Sequence, residues 1–185
     1  MSAYLAIAAK QPSLAQSHAQ IRTNQSQVRL PANNIAKSAM GKKHEEKSWN
    51  RFADLGRAGL IGSALALPKR AQGPGRLSAA ICFLGIKSLV EVLKVAVPER
   101  RPDGDNKKSF PSEHAAECTA AAMMIDKEYP GLVGMLAYTL AGAVSVARIE
   151  GKRHYPRDVL AGVLIGCAAA SLSFKLHRSA ARELD

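Results

Sequence analysis

GLVGMLAYTLAGAVSVARIEGKRHYPRDVLAGVLIGCAAASLSF, residues 131–174, joins two apolar runs through one short polar break. Residues 131–147 carry no charge over 17 positions, and residues 159–174 carry none over 16. Neither run alternates with period two, so both read as helices and not strands. The break, EGKRHYPR (150–157), contains Gly151 and Pro156, the strongest local punctuators of helix. Proline suits an early helical position, which starts the second helix near Pro156. The stretch is a helical hairpin with Arg148, His154 and Asp158 at its turn.

Three further runs lie upstream, at 52–67, 77–97 and 114–125. LPKRAQGPGR (67–76), VPERRPDG (97–104) and YPG (129–131) punctuate them. Apolar residues make up 47% of the chain but aromatics only 5%, and alanine, leucine and valine favour helix over sheet. The expected fold is all-α, a compact bundle of about five core helices. Residues 1–51 read as a polar, basic N-terminal segment, mobile or peripheral, with a short helix around 34–49. Residues 52–175 form the helical domain and 176–185 a short tail. The N-terminus makes a poor signal peptide, lacking a basic n-region and holding only a brief apolar stretch at 3–9.

Hydropathy leaves two options. A full span needs about 20 apolar residues, and 131–147 and 159–174 suffice for a thin or adapted bilayer. The run at 77–97 holds Lys87, Glu91 and Lys94; 52–67 holds Asp54 and Arg57; 114–125 is short and holds Glu117. Either the bundle is polytopic with inward ionisable groups, or it is a soluble helical bundle. Small residues in GLIGSALAL and AGVLIGCAAAS permit close helix contact in lipid, and the membrane reading is favoured. The net charge of +11 suits anionic partners. Three cysteines, Cys82, Cys118 and Cys167, lack zinc-ligand spacing and are expected to be buried free thiols.

The polar breaks carry the chemistry. KVAVPERRP places Lys94, Arg101 and Pro102; FPSEH places Pro111, Ser112, Glu113 and His114; RIEGKRHYPRD places Arg148, His154 and Asp158. With helices of similar length, 98–113 and 148–158 fall on one face of the bundle, so these side chains can converge.

These segments resemble the type 2 phosphatidic acid phosphatase (PAP2) superfamily, which includes membrane lipid phosphatases, soluble class A acid phosphatases and vanadium haloperoxidases. Its pattern is K-x6-R-P, P-S-G-H and S-R-x5-H-x3-D. Nine specified residues agree in order and spacing, over roughly 52–175. Glu113 stands where glycine is usual, and Ala147 where serine is usual.

The resemblance implies a phosphatase with His154 as nucleophile, His114 as acid and base, and Asp158 bonded to the other ring nitrogen of His154. Lys94, Arg101 and Arg148 would hold phosphate oxygens, with Ser112 and backbone N–H groups near Glu113 adding donors. No metal or cofactor is implied. Glu113 adds negative charge beside the phosphate. It turns away, narrows substrate choice, or alters His114. The expected partners are a phosphorylated lipid or isoprenoid substrate and membrane lipids, with no nucleic acid. The family suggests a bacterial inner membrane and an outward-facing site. Rival readings are a soluble acid phosphatase, a vanadate-dependent oxidant, a basic nucleic-acid-binding protein and a membrane scaffold with a degenerate pocket.

Overall fold

A computed structural model of the chain describes residues 32–66 and 75–182. The expectations for residues 1–31, for the break at 67–74 and for 183–185 lie outside the described residues. Five α-helices are described: α1 (Ala32–Ala66), α2 (Arg76–Ala96), α3 (Glu113–Glu128), α4 (Leu132–Glu150) and α5 (Pro156–Arg182). No strand occurs among the described residues. The all-α bundle read from the sequence is the fold.

Two element ends depart from expectation. The short helix at 34–49 and the run at 52–67 are one continuous helix. The composition shift at residue 51 is therefore not a break in the backbone. Lys and Glu are good helix formers, and no proline intervenes before residue 67. The fifth helix runs past residue 175 for the same reason, since KLHRSAAR holds no breaker. Two compact units divide at Lys43 and His44. In the first, the described side chains from Lys37 onward are exposed. All further description concerns the second, His44–Asp185.

α3 is the central helix. Twelve of its 16 residues are buried, eight of them apolar and the others His114, Glu117, Thr119 and Glu128. It packs on α4 and α5, and more lightly on α2. Its alanines bring neighbouring backbones close. The nearest approach is to α5, where Gly162 and Gly166 face α3. A Cβ on either would lie 2.3 Å from a backbone carbonyl, that of Ser112 or Ala116. The small-residue segment AGVLIG is thus a packing seam, the close helix contact that its small residues permit.

The core adds Leu60 and Ala64 of α1, Ile86 and Val90 of α2, Met124 of α3 and Val144 of α4. Cys82 and Cys118 are buried free thiols, whereas Cys167 is only half-buried and corrects the expectation of three buried ones. It lies on α5 near the seam that the glycines occupy.

Apolar side chains also cover the outside. Leu84, Val95, Met135, Leu136, Leu160 and Leu164 are each at least 60% exposed. Two helical spans, Leu132–Glu150 and Pro156–Ser179, are long and apolar enough to cross a membrane. Only about a third of each is buried, so their apolar surface turns outward and not into a soluble core.

Candidate active site

The loops 97–112 and 151–155 are stitched together. Ser112 N–H donates to the Asp158 carbonyl at 2.9 Å, and Asp103 N–H to the Lys152 carbonyl at 3.0 Å. Arg153 pairs with Asp103 at 2.9 Å and Asp105 at 3.3 Å, and Arg157 pairs with Glu99. Asp103 also accepts from Asp105 N–H at 3.0 Å, a local turn around Gly104. These bonds bring the three polar segments to one end of the bundle.

His154 is 3% exposed. Its Nδ1 lies 2.7 Å from the Ser109 carbonyl, which fixes Nδ1 as the protonated nitrogen and leaves the Nε2 lone pair free. Burial chiefly, with Arg148, Arg101 and His114 adding to it, pushes the imidazole down to about 3 from its ordinary 6.5. The ring is therefore neutral at pH 7, as a nucleophile requires.

The expected direct bond from Asp158 to His154 is not made. Ser109 stands between them. Its carbonyl takes the His154 ring, and its hydroxyl donates to Asp158 Oδ2 at 2.5 Å. Asp158 Oδ2 also accepts from Tyr155 N–H at 2.9 Å. The reason is geometric: Asp158 lies in the first turn of α5, where its carboxylate turns back onto the local backbone. It reaches His154 only through Ser109, a residue that no spacing pattern flagged.

Ser112 caps α3, accepting from Ala115 N–H at 3.4 Å. His114, two residues on in the same first turn, places Nε2 at 2.8 Å from Asp54 of α1. Arg148, 6% exposed in its side chain, meets Asn50 Oδ1 at 3.3 Å and Asp54 Oδ1 at 3.7 Å. Arg101 has an ion pair with Asp105 at 3.9 Å. The Nε groups of both arginines are buried without a hydrogen-bond partner among the described residues. Such a donor costs about 1–3 kcal/mol, which an anion lying between them would recover.

Lys94 and Glu113 differ from the simple picture. Lys94 Nζ binds Glu91 at 2.8 Å and Glu113 at 2.9 Å. Glu113 also holds Arg57 at 2.9 Å, and Arg57 in turn holds Glu117. Glu113 thus faces cations of the site and does not turn away. Sequence reading named Asp54 and Arg57 only as ionisable groups of the bundle, gave them no place in the site, and missed Asn50. Their one signal was spacing: i, i+4 and i+7 on one face of a helix.

The bundle thus gathers two histidines, two underpaired arginines and a carboxylate-bound lysine at one end. The sequence model of the PAP2 superfamily matches residues 75–182, and the chain belongs to that superfamily. It is 26% identical over 143 residues to a lipid A 1-phosphatase of Porphyromonas gingivalis, covering 76% of this chain and 27% of that protein. It is 33% identical over 120 residues to a decaprenylphosphoryl-5-phosphoribose phosphatase of Mycobacterium tuberculosis, covering 61% of this chain and 66% of that protein. The chain thus spans about a quarter of the first relative and just under two thirds of the second. No solved structure matches it.

Proposed function

We propose that the protein is a metal-independent phosphatase acting on a lipid phosphate or isoprenyl (di)phosphate through a phosphohistidine on His154. One observation carries this reading. A neutral imidazole with its Nδ1 pinned stands with two arginines whose buried Nε groups lack partners among the described residues. Arg101, Arg148 and Ser112 hold the phosphate, with Lys94 joining when Glu113 releases it. His154 Nε2 attacks phosphorus, and His114 gives the leaving oxygen its proton. Water, deprotonated by His114, then cleaves the N–P bond and regenerates the imidazole.

A lipid-like substrate is favoured by a groove of about 710 Å3 between α2 and α5, lined by Ile81, Leu89, Ile165, Leu172 and Leu176. From Ser78 to Leu89 it follows α2 for about 16 Å, ending about 7 Å along the helix from Lys94. An acyl or prenyl tail fits that shape and chemistry. The outward apolar faces of α4 and α5 support an integral membrane protein. We place it in a bacterial inner membrane with the site facing outward. The relatives' names, a lipid A phosphatase and a decaprenyl-linked phosphatase, agree with this class of substrate.

The test is phosphate release from lipid phosphates, isoprenyl diphosphates and soluble phosphoesters, with His154→Ala as control. Release that requires His154 and prefers a long apolar tail is expected. Release that His154→Ala leaves intact would refute the mechanism. The pairing of Lys94 with Glu113 favours one second reading, a scaffold with a degenerate site. Turnover that disappears in His154→Ala excludes it.

A further inference from the structure

We propose that Asp54, which lies outside the region matched to the family, is the positioning residue for His114. This assignment rests on the phosphatase reading above. Asp54 Oδ1 stands 2.8 Å from His114 Nε2. α1 is fastened on both sides of it. One turn before, Asn50 Nδ2 donates to the Gly151 carbonyl at 3.1 Å and its Oδ1 accepts from Arg148 at 3.3 Å. One turn after, Arg57 bridges Glu113 and Glu117. Ala53, beside Asp54, is fully buried. The helix register is therefore fixed at this residue, although the carboxylate itself reaches solvent at the mouth of the site.

A general acid must hold its proton until the leaving oxygen needs it. His114 is buried, and the cations Arg148 of α4 and Arg57 of α1 both oppose a charge on it. His154 faces it from the loop. Glu113, its neighbour on α3, is engaged by Lys94 and Arg57. Asp54 is the one carboxylate bonded to the ring among the described residues. It supports the imidazolium and orients it.

With Nε2–H committed to Asp54, Nδ1 is the nitrogen that serves the reaction. As the His154 Nε2–P bond forms, the P–O bond to the leaving group breaks and its electron pair takes the proton from His114 Nδ1. In the second half, Nδ1 accepts a proton from water as the water oxygen attacks phosphorus. The N–P bond breaks, releasing orthophosphate and returning His154. Asp54 stays a carboxylate throughout.

The experiment uses the full chain in detergent with an alkyl phosphate and nitrophenyl phosphate, in wild type, Asp54→Asn and Asp54→Glu. Alkyl phosphate hydrolysis should fall about 10- to 100-fold in Asp54→Asn. Nitrophenyl phosphate, whose leaving group needs no proton, should fall less than about threefold. Asp54→Glu should recover part of the alkyl loss. The alkaline limb of kcat on the alkyl phosphate should move to lower pH in Asp54→Asn. Both substrates are read on one preparation, so a folding defect lowers them together. Equal losses with an unmoved alkaline limb would overturn the assignment. So would faster alkyl hydrolysis, which would make Asp54 an obstruction. A wild type that releases no phosphate sinks the phosphatase reading itself, a different and separately visible result.

Discussion

Replacing Gly162 or Gly166 by alanine tests the packing on which the site depends. A Cβ at Gly162 would sit 2.3 Å from the Ser112 carbonyl and 3.0 Å from Ala115 Cβ. At Gly166 the distances are 2.3 Å to the Ala116 carbonyl and 3.0 Å to Thr119 Cβ. The clashing atoms are backbone and cannot swing away, so α5 must retreat by about 1.1 Å to reach ordinary contact. Overpacking of this kind costs about 1–3 kcal/mol, and the two variants should lose similar stability. Their effects on turnover should differ. Gly162 lies one turn from Asp158, whose carbonyl accepts from Ser112 at 2.9 Å. On the phosphatase reading, a shift of about 1 Å there disturbs phosphate grip and nucleophile together and should cost about 100-fold in rate. At Gly166, one turn further from the site, the loss should be nearer tenfold. Gly142→Ala is the control, since its Cβ meets nothing within 4 Å and should gain about 0.5–1 kcal/mol. Melting temperature in detergent and phosphate release read the two quantities. A Gly162→Ala protein as stable and as active as wild type would refute the close approach of α3 and α5.

Acid should destabilise the fold through His154. Its folded pKa, about 3, lies below the ordinary 6.5, so the unfolded chain takes up the proton first as pH falls. The contribution is complete above about 6.5 and is lost progressively toward 3. Denaturant unfolding at pH 7.5 and pH 5 should therefore show a smaller decline for His154→Asn than for wild type, and equal declines would contradict it. Ser109→Ala and Asp158→Asn disturb one linked unit, so a double-mutant cycle on turnover should give a coupling of about 0.5–3 kcal/mol; additive losses would break that link. Glu113→Gln should tighten vanadate inhibition by releasing Lys94. It should also destabilise the fold by up to about 3–5 kcal/mol, because Arg57 and Lys94 lose a shared, largely buried partner. Unchanged vanadate inhibition would show that Lys94 does not meet the anion.

The helices were legible because apolar runs ended at Pro and Gly clusters, as at Tyr129–Gly131 and Gly151–Pro156. The placement of His154, His114 and Arg148 followed from helix ends falling on one face. What spacing could not give was the partner of each group. The Ser109 link depends on how the loop 97–112 folds over the start of α5, which no periodicity encodes. The α1 contribution was hidden differently. Asn50, Asp54 and Arg57 straddle the composition change at residue 51, so the stripe they form was divided between a polar tail and an apolar run. Only a continuous helix across that change puts them on one face.

The arrangement of charge bears on how such a site can accept a phosphate. Counting motif residues gives three cations, Lys94, Arg101 and Arg148. Two of them keep an Nε unpaired among the described residues, whereas Lys94 is shared between Glu91 and Glu113. On the phosphatase reading, a phosphate therefore meets the arginine pair first. Lys94 joins only by exchanging one carboxylate for the incoming anion, and it remains paired throughout. Breaking a buried pair outright costs about 3–5 kcal/mol, whereas an exchange avoids leaving the cation bare. The displaced Glu113 keeps Arg57 as its partner, so neither side of the exchange is left uncompensated. A glycine at this position could not take part. Glu113 together with Arg57 is thus a coherent alternative to the usual motif, and its demand is a ligand carrying enough charge to compete with a carboxylate for Lys94.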